Sequence, residues 1–313
     1  MPEGTPVFKS RTTAWLLLLP TIVILIIFLY YPAIQSFVLS MYRSNLILGT
    51  RKFIGLDNFR QLFTGLLAPM YRQVVIQSIV FSSAVVILGL AISLAFAMLA
   101  NQKVTGARVY RLLLIWPFAL SPAIAGTIFS FLFNPQVGAV NHFLRAAFGI
   151  APRWLDNPIL AFSLVVGAAI WKELGYNIVF YLAALQNIPG ELAEAAAIDG
   201  ANAWQRFRSV ILPLLSPMTF FLVFTNVAYA FFEVFGLIDI LTKGGPVGPS
   251  ALHLDNAGLT TTMIYRMYQD GFGGTGSLGF AGAQGVVLLF LVAGITVLQF
   301  RYGGRNVHYG GGS

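Results

Sequence analysis

The sequence PGELAEAAAIDGANAWQRFRSVILP occupies residues 189–213 and separates two long apolar stretches. Glu191 and Glu194 suit the positive N-terminal end of a helix, and the alanines around them have the highest helix propensity. Gly200 stands where a glycine ends a helix, and Asn202 can cap a second short helix. The segment predicts a helix-turn-helix outside the membrane, although an amphipathic connector resting on the bilayer surface would show the same pattern.

Long apolar stretches account for most of the remaining chain. A helix needs about 20 apolar residues to cross the hydrocarbon core, because lipid cannot bond backbone N–H and C=O groups. Stretches of that length lie at 14–33, 74–99, 110–133, 159–183, 214–241 and 278–300. The sequence therefore predicts an all-α membrane protein with six transmembrane helices.

The composition excludes a soluble globular domain. Hydrophobic residues make up 57% of the chain and charged residues 10%, whereas soluble domains carry roughly 25% charge. The net charge of +8 comes mostly from basic residues between apolar stretches, beside lipid head groups, so no nucleic-acid partner is expected. The absence of cysteine excludes thiolate catalysis, cysteine-based metal sites and disulfides.

The ends of the chain are expected to lie outside the membrane domain. Residues 1–13 predict a short cytoplasmic N-terminus, because the apolar run that follows is too long for a signal peptide and lacks a cleavage site. Residues 14–309 predict one transmembrane domain that includes the water-facing loop 187–212. Residues 310–313, GGGS, are interpreted as a linker remnant.

Basic residues indicate the orientation only weakly. With six spans both termini lie on one side, and nine Lys and Arg residues fall on that side and nine on the other. The positive-inside rule gives most weight to short loops. The compact loop 100–109, together with Arg111, therefore favours termini in the cytoplasm.

The spacing of Glu194-Ala195-Ala196, Gly200 and Val210-Ile211-Leu212-Pro213 is similar to the EAA loop of binding-protein-dependent ABC importer permeases. Val210 replaces the usual isoleucine. Further segments support the resemblance: FIGLDNF at 53–59, LFNPQVG at 132–138 and LTKGGP at 241–246. Within the family, YAFFEVF at 229–235, WKELGYN at 171–177 and QFRY at 299–302 resemble permeases of glycerol-3-phosphate importers.

The resemblance implies a type I ABC importer permease fold in the bacterial inner membrane, with both termini cytoplasmic. It implies four kinds of partner: a second related permease, two ATPase subunits, a periplasmic solute-binding protein and the lipid bilayer. The implied solute is glycerol-3-phosphate or a glycerophosphodiester, and a disaccharide or polyol is the alternative.

The resemblance also gives the loop a role, that of the coupling helix that docks on the ATPase. The residues carried over to that contact are Glu191, Glu194, Ala195, Ala196, Asp199 and Gly200. Because the chain has no Walker-type phosphate-binding sequence, the partner ATPase subunits would bind ATP and Mg. This chain would then need no cofactor of its own.

Two charged residues lie in the middle of the fourth apolar stretch, where each charge costs about 2.5–3.5 kcal/mol on insertion scales. Neighbours in a helix do not face each other, so Lys172 and Glu173 are each expected to find a partner elsewhere or to line a wet cavity. Either they form buried ion pairs between helices, or Lys172 neutralises an anionic solute while Glu173 accepts hydroxyl hydrogen bonds.

The fifth stretch carries Asn226, Tyr229 and Glu233 at intervals of three and four residues, which predicts one shared helix face. These side chains either hold the bundle together or line the solute path. In the permeases that the chain resembles, the fourth and fifth spans border that path and the position of Tyr176 contacts solute. Tyr176 and its neighbour Asn177 therefore complete the predicted pathway.

A membrane-embedded enzyme and a passive channel are the rival functions. No intramembrane Ser/Lys, Asp/Asp or His/Glu constellation is recognisable, and a channel would not need the segment from Glu194 to Gly200. His142, His253 and His308 lie in loops or the tail at unrelated positions, so no metal site is predicted. The sequence predicts a transport subunit and not an enzyme.

Overall fold

The computed structural model describes residues 11–102, 107–246, 257–273 and 276–303. Residues 1–10 of the expected N-terminal segment 1–13, the expected linker remnant at 310–313, His253 and His308 lie outside the described residues. Within the described residues almost all regular structure is helical, and the strands form one two-stranded hairpin.

The helices and strands of the first half are α1 (Arg11–Leu25), α2 (Tyr31–Leu39), β1 (Tyr42–Asn45), β2 (Thr50–Phe53), α3 (Asp57–Thr64), α4 (Ala68–Ala100), α5 (Ala107–Ile115), α6 (Pro122–Leu132), α7 (Ala139–Phe148) and α8 (Pro158–Gln186). The second half contains α9 (Gly190–Ile198), α10 (Ala203–Arg206), α11 (Leu212–Leu214), α12 (Ser216–Ala228), α13 (Phe235–Leu241), α14 (Met263–Phe272) and α15 (Leu278–Leu298). Short π-helical turns at Ile26–Tyr30, Phe207–Ile211, Tyr229–Glu233 and Gln299–Gly303 and a 3₁₀ turn at Trp116–Ala119 continue these helices.

Four helical segments of the described chain are long and apolar enough to cross a membrane: Trp15–Leu39, Ala68–Ala100, Pro158–Gln186 and Leu278–Gly303. Two further pairs of helices reach that length only together. The first pair, Leu112–Ala119 and Pro122–Leu132, is bent by 112° between its helices. The second pair, Ala203–Leu214 and Ser216–Glu233, is bent by 67°. The number of spans becomes six if each bent pair counts as one.

The third predicted span, 110–133, is bent and not one continuous helix. The backbone becomes extended at Leu120 and Ser121, and the Ser121 side chain accepts a hydrogen bond from the Ile124 amide at 3.3 Å. Pro122 follows at the first helical position, where its missing N–H costs nothing. Ser121-Pro122 is therefore a helix start that the apolar composition concealed.

The predicted fifth span, 214–241, is also divided. A bend at Leu215 precedes α12, a π-helical turn runs from Tyr229 to Glu233, and Val234 separates this turn from α13. The sequence between 214 and 241 is apolar on average, so hydropathy alone gave no sign of these breaks.

The chain divides into two compact units. The first consists of Met1–Leu62 with Met267–Val287, and the second of Phe63–Arg266 with Leu288–Ser313. In the first unit the buried Asn58 amide donates to the backbone oxygens of Ser40, at 2.7 Å, and Tyr42, at 3.0 Å. These bonds attach α3 to the hairpin.

In the second unit α4 packs along α8, and α13 packs against α6. The core between these helices is made of Phe81 and Val85 on α4, Val165 and Ala169 on α8, and Leu237 and Ile238 on α13. A glycine allows α6 to approach α13 closely, because a side chain at Gly126 on α6 would lie 3.1 Å from Ile240 on α13.

Gly175 marks the closest approach of α8 to α5. A Cβ atom at this position would lie 2.7 Å from both the Cα and the carbonyl oxygen of Ile115, which are backbone atoms and cannot rotate away. A Cβ atom added at Gly167, two turns earlier on α8, would have no neighbouring atom within 4 Å. The two glycines therefore differ in packing although they share one helix.

We expect Gly175→Ala to lower the free energy of unfolding by about 1–3 kcal/mol, because the methyl group forces the helices apart. Gly167→Ala is the matched control and should gain about 0.5–1 kcal/mol, since alanine costs less conformational entropy in a helix than glycine. Thermal unfolding of the two purified variants in detergent measures the difference. Equal unfolding temperatures would contradict the close approach.

Candidate functional site

Residues 190–206 form a helix-turn-helix, called the elbow below, as the sequence predicts. Helix α9 ends at Ile198, and Gly200 reverses the chain with a φ of +84°, a conformation that suits glycine. Asn202 then caps α10: its Oδ1 accepts from the Gln205 amide at 2.9 Å, while Gln205 Oε1 accepts from the Asn202 amide at 2.8 Å. This reciprocal capping fixes where the second arm begins.

The elbow exposes the residues that were carried over to the ATPase contact. Glu191, Glu194, Ala195, Asp199 and Gly200 are exposed, and Ala196 is half-buried. The elbow also exposes three large apolar side chains that the sequence analysis did not select, Leu192 at 44%, Ile198 at 87% and Trp204 at 65%. Large apolar side chains exposed at a polar turn are typical of a protein contact surface. Ile198 and Trp204 stand next to the polar residues Asp199 and Gln205 near the turn, and this placement was the signal that could have identified them.

An open cleft of about 600 Å³ lies at the turn of the elbow. Its lining residues are Asp199, Gly200, Ala201, Gln205, Arg208 and Ser209. Gln205 and Arg208 were not predicted to belong to this site, because only the reversal at Gly200 brings them opposite Asp199. The cleft combines a carboxylate, an amide and a guanidinium group, so it can accept a polar side chain of either charge.

Lys172 and Glu173 lie in the middle of α8, at 4% and 6% exposure. The expectation that they cannot face each other is wrong, since Lys172 Nζ lies 3.1 Å from Glu173 Oε1 and donates a hydrogen bond to it. The lysine stem has four rotatable carbons, long enough to fold around the helix to the next residue. The two opposite charges therefore neutralise each other within one helix and need no partner helix.

Aromatic rings enclose the lysine end of this pair. Lys172 Nζ lies 5.3 Å from the centre of the Phe118 ring and 5.2 Å from that of Tyr229. A cation over a ring face is attracted by the ring electrons, and more strongly where water is excluded. Phe118 could not be selected from the sequence, because nothing in its local pattern distinguishes it from a lipid-facing phenylalanine.

A row of aromatic rings extends from this cation along α8. The Tyr176 ring lies 5.2 Å from that of Phe118 and 4.7 Å from that of Phe180, and Phe180 lies 5.3 Å from Phe221 on α12. Tyr176 is half-buried, whereas Phe118 and Phe221 are exposed. The row connects the buried charge pair to the surface of the second unit.

Asn177 and Asn226 bond to each other across the contact of α8 with α12. Asn177 Nδ2 donates to Asn226 Oδ1 at 2.9 Å, and Asn226 Nδ2 donates to Asn177 Oδ1 at 2.7 Å and to the Leu222 carbonyl at 2.8 Å. Both side chains are buried. Their amides are satisfied by the protein, which favours a role in joining the two helices over contact with solute.

Asn226, Tyr229 and Glu233, which were predicted to share one helix face, differ in burial. Asn226 and Tyr229 are buried, whereas Glu233 is exposed. Tyr229 and Glu233 are the first and last residues of a π-helical turn. Glu233 is therefore accessible, whereas the other two side chains are enclosed by this chain.

The sequence model described as "Binding-protein-dependent transport system inner membrane component" matches residues 89–302, more than half of the chain. The chain belongs to this family of ABC importer permeases. It is a transport subunit of the inner membrane and not an enzyme, and it works with a binding protein and an ATPase.

Curated relatives match the permease over its full length. The "sn-glycerol-3-phosphate transport system permease protein UgpA" of Escherichia coli (strain UTI89 / UPEC) is 42% identical over 309 residues, covering 99% of this chain and all of the relative. The protein of that name from Pectobacterium atrosepticum is 40% identical with the same coverage.

Two solved structures share the fold of the permease. A bacterial alginate ABC transporter in complex with alginate pentasaccharide-bound periplasmic protein aligns with a TM-score of 0.77 at 23% identity, covering 96% of this chain and 97% of that chain. A bacterial ABC transporter involved in the import of the acidic polysaccharide alginate gives 0.74 at 24% identity, covering 94% and 97%. Together with the family match they show the type I permease fold.

Lys172→Met should lower the free energy of unfolding of the permease by about 3–5 kcal/mol, because it leaves Glu173 buried without its counter-charge. The double variant Lys172→Met/Glu173→Gln removes both charges and should recover most of that loss. Thermal unfolding of the purified permease with its partners compares the two. If the double variant were the less stable protein, the pair could not be a self-neutralising unit.

Proposed function

We propose that the permease forms half of a translocation pathway for glycerol-3-phosphate or a glycerophosphodiester delivered by a periplasmic binding protein. The observation that carries this proposal is the match, at 40–42% identity over the full length, to permeases named for sn-glycerol-3-phosphate transport. A match that covers both chains end to end includes the substrate path as well as the coupling elements.

The buried cation on α8 supports an anionic solute. The Lys172 ammonium group has three N–H donors, and it donates one hydrogen bond to Glu173 Oε1 at 3.1 Å. A phosphate that reached Lys172 would compete with Glu173 for these donors, and charge-assisted bonds to phosphate are strong where water is excluded. Lys172 is only 4% exposed, so little water reaches it.

The row of aromatic rings favours a second candidate, a neutral disaccharide or polyol. Phe118, Tyr176 and Phe180 present adjacent ring faces next to the charge pair. Ligand sites are largely lined by aromatic and apolar side chains with a few polar groups for orientation, and a sugar could use Glu173 as a hydroxyl acceptor. The two candidates differ in whether the solute requires the Lys172 charge.

The exposed charge of Glu233 supports pairing with a second related permease. A carboxylate within a membrane span is costly against lipid and normally faces a wet cavity or another protein. Glu233 is exposed beside the buried Tyr229. The complete pathway would therefore lie between two permeases, with two ATPase subunits below and both termini of this chain in the cytoplasm.

In the proposed mechanism the elbow transmits the work of ATP hydrolysis. The exposed Ile198 and Glu194 dock on an ATPase subunit, which binds ATP and Mg. The π-helical turn at Phe207–Ile211 and the bend at Leu215 join the elbow to α12. The Asn177–Asn226 bonds then pass movement of α12 to α8, which carries Lys172.

Solute identity is tested by ATP hydrolysis of the reconstituted complex with its binding protein. We expect glycerol-3-phosphate or a glycerophosphodiester to stimulate hydrolysis above the basal rate, and neutral disaccharides to leave it unchanged. Lys172→Met/Glu173→Gln should remove transport of the anionic solute. Stimulation by neutral sugars alone would assign the permease to the second candidate.

Glu194→Lys should leave insertion and assembly intact, because Glu194 is exposed and α9 has no buried residue. It should lower solute-stimulated transport by about tenfold or more, as reversal of a contact charge costs at least about 1.4 kcal/mol across a docked interface. Uptake into vesicles measures the effect, and Asp156→Lys reverses an exposed charge outside the elbow as the control. Normal uptake by Glu194→Lys would remove the docking role from this residue.

A further inference from the structure

The hairpin of the first unit ends in three exposed aliphatic side chains. Strands β1 and β2 pair antiparallel from Tyr42 with Phe53 to Asn45 with Thr50. Leu46, Ile47 and Leu48, called the apolar tip below, connect them, and Gly49 closes the turn with a φ of +61°. The exposed fractions of the tip side chains are 56%, 69% and 72%. A turn between strands normally carries polar residues, so this tip is unusual for a loop in water.

The backbone amides of the apolar tip do not depend on water. The amide of Leu46 donates to the Gly276 carbonyl at 2.8 Å, and the amides of Ile47 and Leu48 both donate to Asn45 Oδ1 at 2.9 Å. Three consecutive amides are therefore bonded inside the protein. Lipid imposes this requirement on a non-helical segment, since it offers no acceptor for an N–H group.

The attachment of the apolar tip sets its depth relative to the membrane. Gly276, which bonds to the tip, lies two residues before the span Leu278–Gly303 begins. The hairpin begins at Tyr42, three residues after the span Trp15–Leu39 ends. A side chain at Gly279, in the first turn of α15, would overlap the carbonyl oxygen of Tyr42. The tip therefore lies where two membrane spans reach the bilayer surface.

Basic and aromatic side chains lie on the strands that lead to the apolar tip. The Arg51 guanidinium carbon lies 4.1 Å from the centre of the Tyr42 ring, and Arg51 and Lys52 are exposed on β2. The Tyr42 and Phe53 rings meet edge to face at 5.3 Å. Lysine, arginine and aromatic residues beside an apolar surface are typical of segments that lie in the interface of a membrane.

We propose that the apolar tip is a membrane anchor, which inserts Leu46, Ile47 and Leu48 into the bilayer surface where α15 enters. Arg51 and Lys52 then lie at the level of the lipid phosphates and attract anionic head groups. The anchor holds the hairpin and the start of α15 at a fixed depth. This role does not depend on which solute the permease carries.

The chain contains no cysteine, so a single introduced cysteine can carry a fluorescent label without further changes. The test uses Ile47→Cys and, as a second variant, Leu48→Cys, in the complete importer reconstituted in nanodiscs with anionic lipid. Leu289→Cys, exposed in the middle of α15, provides the lipid reference, and Gln136→Cys, exposed in a polar turn, provides the aqueous reference. Brominated lipid and aqueous iodide serve as quenchers.

We expect labels at 47 and 48 to be quenched by brominated lipid at least about threefold more than the label at 136, as for side chains inserted at the acyl boundary. The binding protein should leave this quenching unchanged. Two results would overturn the proposal. Iodide quenching equal to that at 136 would place the tip in water, and quenching that falls when the binding protein is added would make the tip a contact for that protein.

The contribution of charge is tested by Arg51→Glu/Lys52→Glu in the Ile47→Cys background. Lipid quenching should fall in discs that contain anionic lipid and change little in discs of neutral lipid, because only the head-group attraction is lost. Retained ATP hydrolysis shows that the variant is folded. If lipid quenching changed equally in the two kinds of disc, Arg51 and Lys52 would have no role in the anchor.

Discussion

The absence of hydrogen-bond partners in lipid is the constraint on which the rest of this structure depends. Inside the second unit, two pairs of buried polar residues satisfy this constraint in different ways. Lys172 and Glu173 neutralise each other on one helix, while Asn177 and Asn226 satisfy each other across two helices. The first arrangement keeps a charge available between aromatic rings, and the second joins α8 to α12. Burying charge is costly, so a retained pair indicates a role beyond stability.

The irregular segments of the helices lie next to these polar groups. The π-helical turn at Tyr229–Glu233 places Tyr229 against Lys172, and the break at Leu120–Ser121 follows the 3₁₀ turn that presents Phe118 to the same ammonium group. A continuous α-helix through either segment would orient these rings differently. The departures from regular helix therefore build the enclosure of the cation, in agreement with the frequent occurrence of π-helical turns at functional sites.

Much of the architecture could be predicted from the sequence, because membrane spans need only length and hydropathy. The elbow was also predictable, since Gly200 and Asn202 act through local backbone geometry. The breaks at Ser121 and Leu215 were not, because hydropathy stays high across both, although a Ser-Pro pair stands at each, Ser121-Pro122 and Ser216-Pro217. The Lys172–Glu173 pair was missed because side-chain flexibility overrode a rule about helix faces. The exposure of Glu233 could not be predicted, because the spacing from Asn226 and Tyr229 gives the direction of a side chain on the helix and not its burial.

The reciprocal amide bonds between Asn177 and Asn226 also constrain how this family can vary. Each side-chain amide is both donor and acceptor for the other. Replacing one asparagine by an aliphatic residue would therefore leave the amide of the other buried without this hydrogen-bond partner. Replacing both by apolar residues of similar shape removes that penalty. Evolution is thus expected to conserve or exchange these two positions together, and a chain carrying only one of the two asparagines should be rare among viable descendants.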